Sequence, residues 1–248
     1  MRLKDKVVFV GAAGGGIGTA VPVLFAQEGA KIVLAARRLE PLEEIAAKVR
    51  AVGGEASCVS ADLVTQVGVQ KAMDHVRQTH GRLDVLFSNL GDSAGRGLRL
   101  HETDEDTWKF LTDINLTGHY LCARYALPMM IGQGGGVIIL MTASYDVRLR
   151  THSGYSAGKA GTNALVQTMA RQYRKDNIRV VGLASSSVGG RVPEGRVEAP
   201  DRRLARPGSP EDIAFAALFL ASEEAAWVSG TVLSVDGAGE ASLEGGAP

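Results

Sequence analysis

Short apolar runs rich in β-branched residues alternate with longer stretches of helical period along the whole chain, and this alternation constrains the fold more than any other feature. The runs fall at Lys6–Val10, Lys31–Ala35, Ala56–Ser60, Val85–Asn89, Val137–Thr142, Arg179–Ala184 and Val232–Val235. Between them, Ile17–Glu28, Leu39–Val52, Gln66–His80, Asp104–Met130, Tyr155–Lys175 and Glu211–Ala221 carry apolar residues at helical spacing. Strand and helix taking turns in this way predict a parallel sheet covered by helices on both faces. The expected fold is a single doubly wound α/β domain with a seven-stranded sheet. These strands use up the 248 residues, and no Pro- or Ser-rich linker or internal repeat marks a second domain. Pro22 falls inside the first helix, past the position where proline is comfortable, so a kink is expected there. The Gly/Ala-rich tail, 238–248, is expected to be disordered or to pack on a neighbouring subunit.

Composition excludes several function classes. Twenty-seven basic and 27 acidic residues cancel, so no whole-chain field draws nucleic acid or an anionic membrane. Basic residues are nowhere interleaved with aromatics, which argues further against nucleic acid. No apolar run reaches the roughly 18 residues needed to span a bilayer. The segment from Met1 to Lys6 runs into an apolar strand without a signal-peptide pattern, so the cytoplasm is the expected location. Cys58 and Cys122 lie far apart, with no paired-cysteine spacing and no clustered histidines, and are read as two reduced thiols with no metal site.

The turn after the first strand reads Gly11-Ala12-Ala13-Gly14-Gly15-Gly16-Ile17-Gly18. A glycine-rich turn between strand and helix lets the backbone approach a pyrophosphate, and the helix N-terminus adds unpaired N–H groups and partial positive charge. A glycine string alone is weak; its place after a strand and before a helix is the confirming context. Sites for NAD usually carry Asp or Glu at the end of the second strand, about 20 residues past the glycines, to hold the ribose 2′-hydroxyl. This chain has Ala36 there, followed by Arg37 and Arg38. Guanidinium forks suit a 2′-phosphate, so NADP(H) is expected in preference to NAD(H).

With these residues in place the chain resembles the short-chain dehydrogenase/reductase family, in its compact single-domain branch with a Rossmann fold, from about Lys6 to Gly237. Asp62-Leu63 is similar to the family's adenine-binding pair. Ser88-Asn89-Leu90-Gly91 is similar to its Asn-Asn-Ala-Gly element, with two positions replaced. Asn115 matches its mid-helix asparagine, and Tyr155-Ser156-Ala157-Gly158-Lys159 its Tyr-x-x-x-Lys. Arg206–Ile213 and Val235-Asp236-Gly237 match further signatures. Any one motif is weak; their shared order and spacing are specific. The resemblance implies that Lys159 hydrogen-bonds the nicotinamide ribose and that Asn115 holds a water linking Lys159 to solvent.

The Tyr/Lys chemistry follows without the family. Residues four apart on a helix share a face, so Tyr155 and Lys159 can point into one site. A phenol titrates near pH 10, and a neighbouring ammonium favours the phenolate. Tyr155 is therefore expected to give a proton to a carbonyl oxygen as hydride arrives and to take it back in reverse. A hydroxyl should hold the substrate oxygen. In the family this is a serine 13 residues before the tyrosine; that spacing falls on Thr142, whereas residue type favours Ser144. Both remain candidates.

Two departures stand out. The glycine turn is one residue longer than the commonest family pattern, with Val10 in place of the usual Thr. After strand six, where relatives carry Pro-Gly, the chain reads Ala184-Ser185-Ser186-Ser187-Val188-Gly189-Gly190, so Ser185 and Val188 are expected to face the nicotinamide. The neighbouring loops hold Arg96, Arg99, Arg148, Arg150, His152, Arg191 and Arg196, which suit an anionic substrate or are simply solvated, with Glu194 and Glu198 as partial offsets.

The expected function is NADPH-dependent transfer of hydride to or from a small carbonyl or secondary alcohol. The rivals are a cofactor-binding sensor or assembly protein with little turnover and, less favoured, an isomerase or dehydratase of the same fold. The resemblance also implies a homodimer or homotetramer, with Asp104–Met130 and Tyr155–Lys175 at one interface and the last strand with Trp227–Gly230 at another.

Overall fold

Successive residues of the first strand, β1 (Val7–Gly11), go into different cores: Val8 and Val10 into one apolar cluster, Val7 and Phe9 into the other. A strand buried on both faces needs helices on both sides, as the alternating sequence predicts. The other strands are β2 (Lys31–Ala36), β3 (Glu55–Ser60), β4 (Val85–Ser88), β5 (Gly136–Ala143), β6 (Ile178–Ser185) and β7 (Val232–Val235). They form one sheet of seven in the order β3-β2-β1-β4-β5-β6-β7, and every pairing is parallel. This computed structural model describes residues 1–93, 99–189, 195–201 and 203–239.

Helices α1 (Gly15–Gln27), α2 (Glu40–Ala51) and α8 (Pro210–Ala221) cover one face through Leu24, Phe25, Leu42, Ile45, Ile213 and Leu218. Helices α3 (Gln66–His80), α5 (Gly118–Gly132) and α7 (Ser153–Tyr173) cover the other through Val69, Met73, Cys122, Met130 and Val166. The strand order reverses between β1 and β4. Loops leaving those two strands therefore diverge to opposite faces and open a crevice at their carboxyl ends.

Three expectations are corrected. The helix expected over Asp104–Met130 is divided into α4 (Glu105–Thr112), a π-helical turn (Asp113–Thr117) and α5. The Gly118 N–H reaches back five residues to the Asp113 carbonyl, and the Asn115 side-chain amide bonds the Leu111 carbonyl at 2.9 Å. Apolar spacing resumes on both sides of the bulge, so periodicity alone reads one helix. A short helix, α6 (Tyr145–Arg150), stands where a loop is expected, too short to declare a period. Helix α7 begins at Ser153, ahead of Tyr155, because His152 accepts the Gly154 N–H as its N-cap. Pro22 lies within α1 without ending it.

Among the described residues no helix is long and apolar enough to cross a membrane. Cys58 and Cys122 are unpaired, and no group of metal-binding side chains is present among those residues. Of the 238–248 tail, residues beyond 239 lie outside the described residues.

Candidate active site

The glycine turn leaves β1 through Ala12 in the left-handed region (φ 56°) and enters α1 through Gly14 and Gly15, the latter at φ 68°. A Cβ on Gly14 or Gly15 would meet nothing within 4 Å, so the turn borders open space. Thr65, Asp104 and His152 cap α3, α4 and α7, and a Ser209–Asp212 capping box closes α8. Helix α1 has no side-chain cap, which leaves its first-turn amides for another acceptor. Gly16 and Ile17 line a cavity of about 530 Å³. Gly11 and Gly18 are tightly packed: a Cβ on Gly11 would stand 3.1 Å from Leu63, and one on Gly18 3.3 Å from the Ala12 carbonyl.

A second cavity, of about 470 Å³, shares Gly14, Leu90, Gly91 and Asp92 with the first and extends to Arg37, Arg38, Asp62 and Leu63. Both arginines are exposed, and neither forms an ion pair among the described residues. The Ser60 hydroxyl donates to the Arg37 carbonyl at 2.8 Å and fixes the end of β2. The joined cavities offer an uncapped helix start in the middle and a pair of unneutralised guanidinium groups at one end. That donor set suits phosphate groups.

At the other end Tyr155 and Lys159 stand one turn apart on α7 and both line the larger cavity. Thr142, near the end of β5, lines it too; its Oγ1 is buried and has no hydrogen-bond partner among the described residues. Ser144 does not line the cavity. It occupies the N-cap position of α6, and its hydroxyl donates to Asp146 Oδ1 at 2.5 Å. Ser185 and Val188 line the cavity, and Val188 is held by a parallel bridge to Gly208. Asn89 donates its amide to the Ala12 carbonyl at 3.3 Å, tying the β4 loop to the glycine turn.

Asn115 sits behind the wall. Its side-chain nitrogen donates to the Asp92 carbonyl (2.7 Å) as well as to Leu111, and its Oδ1 accepts the Asp92 N–H at 3.3 Å. The Thr162 hydroxyl donates to the Asn115 carbonyl at 2.8 Å. These bonds hold the π turn against α7 and the β4 loop. Gly91 fits closely beside it, since a Cβ there would lie 3.0 Å from Lys159 Nζ.

Lys159 is buried, and its ammonium donates to the main-chain carbonyls of Leu90 (2.7 Å) and Met141 (2.9 Å). Burial disfavours the charged form and pushes its pKa from 10.5 to about 7. His119, fully buried on α5, has Nε2 3.5 Å from Lys159 Nζ. Burial, and then the Lys159 charge, hold His119 well below the usual histidine value.

The basic residues of the neighbouring loops are described only in part. Arg96, Arg191 and Glu194 lie outside the described residues. Arg150 faces Asp146 at 3.7 Å, Arg148 lies over the Tyr145 ring, and His152 is buried between Gly154 and Thr103. Of the described members, Arg99, Arg148, Arg150, His152 and Arg196 do not line the larger cavity. Sequence reasoning missed Asp92, Ser93, Met141 and Pro210 in the wall, and His119 behind it. Asp92, Ser93 and Met141 adjoin recognised elements, a usable signal; His119 gives none.

A family model described as short chain dehydrogenase matches residues 6–197. The chain is 32% identical over 247 residues to a 3alpha-hydroxysteroid dehydrogenase of Mediterraneibacter gnavus, covering 96% of this chain and 98% of that protein. It is 31% identical over 244 residues to a 3-oxoacyl-[acyl-carrier-protein] reductase of Thermotoga maritima, with 96% and 98% covered. Among solved structures, a 7 alpha-hydroxysteroid dehydrogenase complexed with NADH and 7-oxo glycochenodeoxycholic acid superposes with a TM-score of 0.83 at 26% identity, covering 95% of this chain and 94% of that one.

Proposed function

This chain belongs to the short-chain dehydrogenase family, and from that premise we propose that it is an NADPH-linked oxidoreductase acting on a carbonyl or secondary alcohol, with Tyr155 as its general acid and base. The observation that carries this reading is the buried Thr142 hydroxyl, which has no partner among the described residues, in the same cavity wall as Tyr155 and Lys159. A buried hydroxyl without a partner costs about 1–3 kcal/mol, a cost that an arriving oxygen acceptor relieves.

The cofactor, when bound, supplies or accepts the hydride. Arg37 and Arg38 would hold its 2′-phosphate, and the uncapped first turn of α1 its pyrophosphate. Thr142 donates a hydrogen bond to the substrate oxygen, where negative charge develops during reduction. Tyr155 delivers a proton to that oxygen, and takes it back when an alcohol is oxidised. With its pKa near 7, Lys159 exchanges its proton readily at neutral pH and thereby adjusts the charge beside Tyr155. Asn115 acts through the main chain of Asp92, holding the cleft wall in place. Ser144 takes no part beyond starting α6.

The test is a titration of the purified protein with NADPH and with NADH, followed by absorbance at the reduced-nicotinamide band with a panel of neutral ketones, aldehydes and hydroxysteroids. Tight NADPH binding with turnover of a panel member supports the reading. Tighter binding of NADH overturns the assignment of Arg37 and Arg38, and binding without turnover favours a sensor.

Trp227 is fully exposed next to the edge strand β7, and Trp108 and Tyr120 expose apolar surface on α4 and α5. These surfaces support assembly into a homodimer or homotetramer. A monomeric mass at micromolar concentration would overturn it.

A further inference from the structure

His119 enters the active-site region from α5, and no part of the proposed chemistry uses it. Its ring is fully buried, and both nitrogens are engaged with the same three-residue stretch of chain. Nδ1 lies 2.8 Å from Ser88 Oγ, and Nε2 lies 3.0 Å from the Leu90 carbonyl. A carbonyl only accepts, so Nε2 carries the ring proton and donates it; Nδ1 then accepts from the Ser88 hydroxyl. One neutral imidazole thus clamps both ends of the turn leaving β4. The Leu90 carbonyl that it grips is the one that receives the Lys159 ammonium at 2.7 Å. Two donors, 3.5 Å apart, share a single oxygen.

We propose that His119, together with Ser88, is a positioning residue of the active site: it fixes the Leu90 carbonyl, and through it sets where Lys159 sits and how firmly Lys159 keeps its proton. This rests on the reading of Lys159 as a working group of the site.

Two alternatives are weaker. A proton relay from Lys159 through His119 would end in the interior, because Ser88 and the adjoining Cys122 are both fully buried. Protonated His119 would put a second positive charge 3.5 Å from Lys159, and the charge that faces His119 is Lys159 itself. Of the elements around the ring, β4 contributes Ser88 and α7 contributes Lys159, and Cys122 of α5 adjoins Ser88. The neutral ring's N–H dipole turns its positive end toward the oxygen that Lys159 also uses. It therefore weakens that oxygen as a partner for the ammonium and favours release of the lysine proton.

The experiment is a pH titration of Lys159 in the cofactor-free protein, read by NMR of ¹³Cε-labelled lysine and assigned with Lys159→Met. It needs neither substrate nor turnover, so failure to find a substrate leaves it standing, and its own failure leaves the oxidoreductase reading untouched. In His119→Val the Leu90 carbonyl serves Lys159 alone, and the midpoint moves upward by roughly half a pH unit or more. His119→Gln supplies an amide N–H for Leu90 and an oxygen for Ser88, and returns the midpoint toward the original. Should His119→Val fail to fold, Ser88→Ala serves. It removes the hydroxyl that polarises the ring from Nδ1, so Nε2–H donates less strongly to the Leu90 carbonyl and the midpoint again moves upward, by a smaller amount. An unchanged or lowered midpoint in the folded variant overturns the proposal, as does a shift that His119→Gln fails to reverse.

Discussion

At one end of the cleft the groups on offer are main-chain amides of α1 and the exposed guanidinium forks of Arg37 and Arg38. At the other end they are buried side chains: Thr142 from β5, Lys159 from α7, with Asn115 and His119 behind them. The first end is assembled from exposed main chain and side chains bordering open space, the second from buried groups that β5, the π turn, α5 and α7 bring together. A site that binds a charged, flexible ligand works with exposed partners in this way. A site that moves a proton needs groups taken out of water, where small changes of position or charge have large effects.

The widest gap between the two ends is expected from Tyr155→Phe. Loss of the proton-transferring hydroxyl should lower kcat by about 10²–10⁴ while NADPH binding changes little. Stopped-flow turnover together with a fluorescence binding titration checks both halves. An equal loss of binding and rate would erase the contrast.

Thr142→Val sharpens it inside the reacting end. It should cost on the order of 10²–10³ in kcat, as removal of an oxyanion donor does. The same change replaces a buried, unpartnered hydroxyl by a methyl group, so the melting temperature should hold or rise. Thr142→Ser should keep most of the activity, and Ser144→Ala should affect α6 more than turnover. If Ser144→Ala proves the damaging change, Ser144 holds the substrate oxygen.

At the nucleotide end, Arg37→Ala with Arg38→Ala should weaken NADPH by about 10–100-fold, as expected for the loss of charge-assisted hydrogen bonds. NADH should be nearly unaffected, and kcat at saturating cofactor should stay near that of the unmodified protein. Isothermal titration with each cofactor decides it.

The same division governs what could be read from the sequence. The glycine turn, the arginines after β2 and the Tyr155/Lys159 pair are short-range patterns, and the structure puts them along one cleft. The seven-stranded parallel sheet with helices on both faces also followed from the alternation, since parallel strands buried on both faces leave few arrangements. The π turn at Asp113–Thr117 was not legible: it adds a backbone bond of different reach without disturbing the apolar spacing around it. The preference proposed for Thr142 over Ser144 rests on which hydroxyl is already satisfied, and no pattern in the chain shows that. His152 looked like a member of a basic pocket, yet it is a buried helix cap. His119 bonds Ser88 and Leu90, about 30 residues earlier in the chain, and no motif marks that contact.

The smallest expected effect concerns stability and separates burial from exposure most directly. Lys159 is buried and held by two carbonyls, with no carboxylate among its hydrogen-bond partners in the described residues, and its pKa falls to about 7. Between that value and its ordinary 10.5 the unfolded chain holds a proton that the folded chain has released, so stability rises with pH across this window. Below about 7 both states are protonated, and the full cost of burying the ammonium is present. Lys159→Met removes that cost while keeping the length of the side chain. The variant, though inactive, should melt a few degrees higher than the unmodified protein at pH 6, since about 1 kcal/mol moves the midpoint by roughly 2–4 °C in a domain of this size. The advantage should shrink as the pH is raised toward 9. Replacing exposed Arg38 by Met should give no such pH-dependent gain, because its charge is already in water. Calorimetry of both variants at the two pH values makes the comparison. A gain for Lys159→Met that is independent of pH would mean that packing, and not the buried charge, limits stability at this end of the cleft.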